Sequence, residues 1–231
     1  MSDQGESRHI FRRLDTELAR LNQRVLDMGG MVLRQMEDAL ESLKTGDKAS
    51  AQRVISLEAE VNRMEVDTDA MILTMIALDS PLGPDLRTAL TVSKSVTELE
   101  KIGDEAARMA GLLIESRAHS CQPLDEHLAL EIDRLAGASL DPLRAAIGLF
   151  DAWDETVAQS IIEGYRQVED EFRTQLARLM TRIQDGQLPV DDAVDLIFVA
   201  KSLERVAHHA VNLADYAFFE RMGLDLRHTA R

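Results

Sequence analysis

Apolar residues recur every three or four positions along most of this chain, with polar residues between them. The spacing is that of amphipathic α-helices, each with one face in a protein core. It predicts six long helices, over residues 8–43, 48–78, 84–117, 125–150, 154–184 and 190–221. The core positions expected in the first helix are Phe11, Leu14, Leu18, Leu21, Val25, Met28, Val32, Met36 and Leu40. No segment alternates with the two-residue period of a half-buried strand, so the pattern predicts an all-α fold.

Glycine, aspartate and proline mark helix ends and irregularities. Gly46 and Asp47 have the residue types of a helix C-cap followed by an N-cap. Gly29 and Gly30 fall inside the first predicted helix, where they indicate either a kink or a close crossing by another helix. Asp141-Pro142 predicts a break or a kink in the fourth helix. The core stripe expected in the second helix is Val54, Leu57, Val61, Met64, Met71, Met75 and Leu78.

An internal repeat divides the chain into two halves. The first-half residues Ala39, Asp47, Ala51, Gln52, Val54 and Val61 correspond to Ala146, Asp154, Ala158, Gln159, Ile161 and Val168, each 107 positions later. The segment around Glu100 recurs around Glu204, 104 positions later, which a shorter connection between helices five and six explains. The repeat predicts two pseudo-symmetric three-helix bundles, over residues 1–120 and 121–231, with the boundary near Pro123.

Composition and charge narrow the class of protein. The 231 residues carry a net charge of −15, which opposes nucleic-acid binding and attracts cations and basic partners. No apolar run reaches the roughly 18 residues that a membrane span needs. The N-terminal residues lack the apolar segment of a signal peptide. Cys121 is the single cysteine, interpreted as an inert thiol that forms no internal disulfide. We therefore expect a cytoplasmic protein with no direct membrane insertion.

Two carboxylates in the third predicted helix suggest a metal site. Glu100 and Asp104 lie one turn apart on one helix face, where their charges repel. The second predicted helix carries Asn62, Glu65 and Asp69 on a stripe with apolar residues at both ends, which indicates partial burial. Facing each other, these side chains would form an oxygen-rich set suited to Mg²⁺, Mn²⁺ or iron. A solvated acidic patch is the alternative.

The second half offers a different set. The repeat brings Glu169, Glu204 and His208 to corresponding positions, and the imidazole makes Zn²⁺ or Fe²⁺ more plausible there. An ordinary helix surface is the alternative. The sequence contains no Gly-x-Ser-x-Gly elbow and no glycine-rich phosphate loop, and it lacks the paired Glu-x-x-His motifs of di-iron bundle enzymes. We therefore predict that the protein is not an enzyme, with an oxidase-like metal-dependent bundle as the rival.

Several segments in order along the chain match a known family. They are Met28-Gly29-Gly30-Met31, Val61-Asn62-Arg63-Met64-Glu65, Pro84-Asp85-Leu86-Arg87, Ser93-Lys94-Ser95, Glu98-Leu99-Glu100-Lys101-Ile102-Gly103-Asp104, Ala200-Lys201-Ser202-Leu203-Glu204-Arg205 and Leu226-Arg227-His228. With them the chain resembles the PhoU family of bacterial phosphate-uptake regulators. The resemblance covers nearly the whole length and includes the two-fold repeat.

The resemblance implies a cytoplasmic homodimer of two three-helix bundles. It implies metal clusters on acidic motifs of the Glu/Asp-x-x-x-Asp type, which map onto Glu100 and Asp104. It also implies a negative regulator that links the phosphate ABC transporter, through its ATPase subunit, to a sensor histidine kinase. Such a regulator keeps the phosphate-starvation response off when phosphate is plentiful, and reaches the inner membrane only through its partners.

One segment departs from the family pattern. The second acidic motif of the family is similar to Glu-Arg-Ile-Gly-Asp, whereas this chain has Glu204-Arg205-Val206-Ala207-His208. An imidazole thus replaces a carboxylate, and alanine replaces the smaller glycine. The difference predicts asymmetry between the two halves. A diverged paralogue with another partner is the alternative that it leaves open.

Overall fold

Six long helices make up nearly all of the chain that the structure describes. The computed structural model describes residues 3–115, 124 and 126–224, with side chains from residue 13 onward except that of Asp191. The helices are α1 (Asp3–Thr45), α2 (Lys48–Asp79), α3 (Pro84–Glu115), α4 (Glu126–Gly148), α5 (Glu155–Gln184) and α6 (Val190–Met222). The regular secondary structure in this part of the chain is entirely α-helical, which confirms the predicted fold class. Cys121 and the predicted boundary between residues 120 and 121 lie outside the described residues.

The two halves begin their second helices in the same way. The Asp47 side chain accepts hydrogen bonds from the backbone N–H groups of Ala49 and Ser50 at the start of α2. Asp154, 107 positions later, accepts from Thr156 and Val157 at the start of α5. Gly46 has a φ of 72°, a left-handed conformation that suits glycine at the end of α1. The predicted N-cap Asp47 and C-cap Gly46 are therefore confirmed, and the capping by Asp154 shows that the repeat extends to local geometry.

The helices pack as two three-helix bundles. Helices α1, α2 and α3 contact one another, as do α4, α5 and α6, while α3 packs against α6 and α1 against α4. Contacts along α3 and α6 run in opposite directions: Thr88 bonds to Glu220 at one end, and Glu105 bonds to Arg205 towards the other. The antiparallel pair α3–α6 therefore forms the centre of the molecule and joins the bundles.

A close helix crossing explains one of the internal glycines. Helix α1 runs through Gly29 and Gly30 without interruption. A Cβ atom on Gly29 would lie 2.8 Å from Cγ2 of Ile147 on α4, closer than real Cβ contacts. Of the two sequence interpretations, the close crossing is confirmed. Glycine at position 29 lets α1 of one bundle approach α4 of the other.

One expectation about α4 and one about α2 need correcting. Helix α4 continues through Pro142, so of the two alternatives that the sequence left open the break is wrong, and the kink stays a prediction. Leu140 and Leu143 on either side of the proline are buried. Leu78, expected in the core, is 67% exposed, whereas Met75 is buried. Leu78 keeps the apolar spacing after Met75, but it is the penultimate residue of α2 and lies beyond the last buried residue of that helix.

Among the described residues, no helix combines the length and the apolar character needed to cross a bilayer.

Candidate functional site

The acidic stripe of α2 faces α3. The Thr97 hydroxyl on α3 donates to Oε1 of Glu65 at 2.8 Å, and the Ser93 hydroxyl donates to Oδ1 of Asp69 at the same distance. Glu65 and Asp69 are half-buried, in agreement with the partial burial that the sequence predicts for this stripe. Gly103 makes the approach possible, since a Cβ there would lie 3.1 Å from Cγ1 of Val61.

Glu100 lies on the part of α3 that faces these acids. Burial raises the pKa of its carboxyl, and the nearby charges of Asp104, Glu65 and Glu58 raise it further, while Lys101 opposes them. Negative charge therefore accumulates on this surface at a cost in free energy, which a bound cation would relieve.

Asn62 provides a further oxygen on the same stripe. Its side-chain Oδ1 is buried, and no described group donates a hydrogen bond to it. The donor set of carboxylates and one carboxamide oxygen fits a hard cation such as Mg²⁺ or Mn²⁺. Within residues 3–115, 124 and 126–224, however, no three His, Cys, Asp or Glu side chains are already gathered as metal ligands. The first-half metal site remains a prediction.

The second predicted set lies along α5 and α6. Glu204 forms an ion pair with Lys201 one turn earlier on α6. The His208 ring lies 5.5 Å from the Tyr165 ring on α5, centroid to centroid. Glu169 is half-buried, one turn after Tyr165 on the same helix. Lys201 already pairs with Glu204, and the second-half metal site also remains a prediction.

A groove between α3, α5 and α6 brings residues of both sets together. It has a volume of about 470 Å³ and is lined by Asp104 from the first set and by Glu204 and His208 from the second. The sequence treats the two sets as separate sites, one in each bundle. In the structure, the groove at the bundle junction is shared between them.

Sequence reasoning missed the buried acid at the centre of the α3–α6 interface, Glu98. It is only 5% exposed. Its Oε2 accepts hydrogen bonds from Nδ1 of His209 at 2.6 Å and from Nδ2 of Asn212 at 2.9 Å, and its Oε1 accepts from Nζ of Lys101 at 2.9 Å. Burial alone would raise its pKa, but the three hydrogen bonds outweigh burial and lower the pKa to about 2. Glu98 is therefore ionised and ties the two bundles together.

A second buried acid, Glu105, joins the same two helices. Nη1 of Arg205 on α6 donates to its Oε1 at 3.0 Å, and Arg108 pairs with the same oxygen. Burial acts to raise the pKa of Glu105, whereas hydrogen bonds from Arg108, Ser202 and Arg205 lower it overall. The contacts of Glu98 and Glu105 with α6 thus each rest on an ionised carboxylate from α3.

The two contacts are related by the internal repeat. Adding the helix-three offset of 104 places residue 98 at Ser202, and subtracting it places His209 at residue 105. The pair Glu98–His209 therefore corresponds to the pair Ser202–Glu105, with the roles of the helices exchanged. This is the arrangement expected for a pseudo-two-fold axis passing between α3 and α6. The offset in the sequence was the available signal for these pairs.

The fold and these contacts define a class: a helical protein built from a duplicated three-helix unit, joined through a polar interface. The sequence profile of the PhoU domain matches residues 25–113 and 132–217, one segment in each half. The chain is 30% identical over 224 residues to the phosphate-specific transport system accessory protein PhoU homolog of Pseudomonas aeruginosa, covering 95% of this chain and 90% of that protein. It is 29% identical to the Escherichia coli K12 protein, covering 96% and 90%.

Solved structures agree. The crystal structure of PhoU from P. aeruginosa superimposes with a TM-score of 0.81 and 28% identity, covering 91% of this chain and 99% of that one. The chain belongs to the PhoU family. The relatives named above are called accessory proteins of the phosphate-specific transport system, which agrees with the prediction of a non-enzymatic protein.

Proposed function

We propose that this protein is the accessory regulator of a phosphate-specific transport system and acts by binding other proteins. The observation that carries the proposal is the similarity to relatives of that name over 95% of the chain, with both halves present. The long helical faces and the net charge of −15 suit a binding protein. Its partners would be the ATPase subunit of the phosphate ABC transporter and a sensor histidine kinase, and its output would be repression of the starvation response in phosphate-rich medium.

Deletion of the gene in its host tests this role. A phosphate-starvation reporter should be expressed constitutively in phosphate-rich medium, and the wild-type gene supplied on a plasmid should restore repression. Normal repression in the deletion strain would reject the role in phosphate signalling and favour a diverged paralogue with another partner. The replacement of Gly-Asp by Ala207-His208 in the second motif is the feature that makes this alternative worth separating.

We also propose that a cation bridges α2 and α3, held by Glu100, Asp104, Glu65, Asp69 and Asn62. The support is the facing arrangement of the two helices, the raised pKa of Glu100 and the unpartnered oxygen of Asn62. A cation would neutralise the clustered carboxylates and stabilise this helix pair.

Elemental analysis tests the cation site. The double variant Glu100→Ala with Asp104→Ala should contain less metal than the wild type. The matched variant Glu204→Ala with His208→Ala reports separately on the second set, in which Glu169 would also take part. Unchanged metal content in the first variant would reject the first site, whatever the reporter assay shows.

The homodimer implied by the family resemblance is a further proposal. Analytical ultracentrifugation across a range of protein concentrations would give twice the chain mass of 25.8 kDa if it is correct. A single species at the chain mass throughout would reject it.

A further inference from the structure

The outer face of α2 exposes apolar side chains in a regular pattern. We define this face by Ala59, Arg63, Val66, Ala70, Leu73 and Ala77, which are spaced alternately by four and three residues and are all exposed. Val66 is 65% exposed and Leu73 is 68% exposed. The alternating spacing is that of a coiled-coil seam, in which a helix contacts another helix along its length. Among the described helices, α2 contacts only α1 and α3, so this seam faces no helix of its own chain.

The fold itself does not require an apolar seam at this place. The repeat places Arg166, Asp170, Arg173, Ala177, Met180 and Gln184 at the corresponding positions of α5. That helix packs on its own bundle in the same way as α2 does, yet its outer face carries charges where α2 has Val66. Exposed apolar side chains cost solubility and give no packing within the chain, so a regular row of them indicates a binding surface.

A groove with a mixed lining lies between the outer face and α1. It has a volume of about 550 Å³, and Met71, Met75 and Leu78 line it next to Ala70 of the outer face, together with two arginines and three acids. Flexible methionine side chains adapt to the shape of an apolar partner. The groove would accept a large apolar side chain from a helix lying along the seam.

Charge identifies the kind of partner. Residues 58–79 contain six acids and one base, Arg63. Acids border the seam on both sides, with Glu60 and Asp67 towards α1 and Glu65 and Asp69 towards α3. A second copy of α2 placed on this face would bring acids against acids, which costs free energy. Arg13 and Arg24 of α1 also line the groove on this side, and Arg13 pairs with Asp79. The other acids, Glu60 and Asp67 on one border and Glu65 and Asp69 on the other, would complement a helix with Lys and Arg beside its apolar stripe.

We propose that the outer face of α2 is the docking site for an amphipathic helix of a partner protein, with basic residues flanking its apolar stripe. The proposal deepens the proposed function by giving the chemistry of one partner, and it rests on the role as a binding protein.

Binding of a synthetic peptide tests the site. The probe is a fluorescent helical peptide of about three heptads, with Leu at the seam positions and Lys beside them. Its twin has Glu in place of every Lys. Fluorescence anisotropy at physiological salt is measured for the wild type, for Val66→Ser with Leu73→Ser, and for Met180→Ser. The last is the matched control, because Met180 corresponds to Leu73 on α5 and is itself 47% exposed.

The serine variants keep the charge and remove only apolar area. Val66→Ser with Leu73→Ser should weaken binding of the basic peptide about tenfold or more, while Met180→Ser should leave it unchanged. The acidic twin should not bind. Equal binding to all three proteins would show general attraction to an acidic surface and would overturn the proposal, as would equal binding of both peptides.

Sedimentation of the same proteins tests whether a second copy of this chain, rather than a partner helix, covers the outer face of α2. If the wild type self-associates and Val66→Ser with Leu73→Ser does not, a second copy covers this face and the proposal is wrong. The peptide-binding result and the reporter result in the deletion strain can be read separately. If the peptide binds specifically but the deletion strain still represses the reporter, the phosphate role alone is rejected. If the deletion strain expresses the reporter constitutively but the peptide does not bind specifically, the docking site alone is rejected.

Discussion

The carboxylate of Glu98 accepts a hydrogen bond from Nδ1 of His209 at 2.6 Å, and this contact joins the first bundle to the second. Both side chains are largely buried, with 7% and 14% of their surface exposed. Because a carboxylate only accepts, the proton of this bond is on Nδ1. Asn212 and Lys101 complete the set of donors around Glu98. Glu98 is therefore an ionised acid held within the interface by donors from both bundles.

Replacing Glu98 by Gln should destabilise the protein. Glutamine has one acceptor oxygen, so one of the three donors would face its NH₂ group, and the free energy of unfolding should fall by about 2 kcal/mol. Urea unfolding followed by circular dichroism measures the change. The control is Asp170→Asn, which removes an exposed pair with Arg173 and should cost less than about 0.5 kcal/mol. If Glu98→Gln and Asp170→Asn have the same free energy of unfolding, the hydrogen bonds of Glu98 do not stabilise the protein as expected.

The pH dependence of stability should follow from the low pKa of Glu98. Its carboxyl titrates at about 2 in the folded protein, against an ordinary value of 4.5. The stabilisation is thus fully present above about pH 4.5 and is lost as the pH falls towards 2, up to about 3 kcal/mol. The lowered pKa of Glu105 acts in the same direction. Urea unfolding between pH 6 and pH 2 should show a smaller loss for Glu98→Gln than for the wild type.

Glu100 should behave in the opposite way, because its pKa is raised. In the presence of EDTA at neutral pH, Glu100→Gln should stabilise the protein by about 0.5 kcal/mol by removing like-charge repulsion. This advantage should shrink as the pH falls and the wild-type carboxyl takes up a proton. Added Mn²⁺ should raise the melting temperature of the wild type more than that of the variant. An identical Mn²⁺ response in both proteins would count against Glu100 as a ligand.

The crossing of α1 and α4 should not tolerate a side chain at position 29. Gly29→Ala would place its methyl group against Ile147 and should lower stability by about 1–2 kcal/mol. Gly164→Ala, with nothing within 4 Å of the new Cβ, should instead raise stability by up to about 1 kcal/mol. The stability lost when Ile147→Ala is added to Gly29→Ala should be smaller than the stability lost when Ile147→Ala is made in the wild type. Thermal unfolding of the wild type, the two single variants and the double variant measures both losses.

Features that depend on nearby residues could be predicted from the sequence. Asp47 and Gly46 were identifiable as caps because capping involves residues two or three positions apart. The half-buried acidic stripe of α2 followed from helical periodicity. The cost of glycine inside a helix marked Gly29 as the site of either a kink or a close crossing, and the structure has the crossing. These predictions required no knowledge of which helices lie side by side.

Features that depend on distant partners could not be predicted in the same way. Glu98 and Glu100 are two positions apart in one acidic motif, and local sequence does not show which one is buried against α6. The answer depends on His209, more than a hundred residues later. Leu78 fits the apolar period but lies where α2 ends, and 67% of it is exposed. The groove shared by Asp104 and His208 required the packing of α3 against α6.

The pseudo-two-fold relation between α3 and α6 bears on how such a chain arose. A protein of half this length, pairing with an identical copy through its third helix, would produce the same architecture. In that ancestor both symmetry-related contacts would have been made by the same two residues. After fusion of the halves each contact could change independently, which would give the present pairs, Glu98 with His209 and Ser202 with Glu105. Joining two copies in one gene would thereby let the halves specialise without losing their mutual fit.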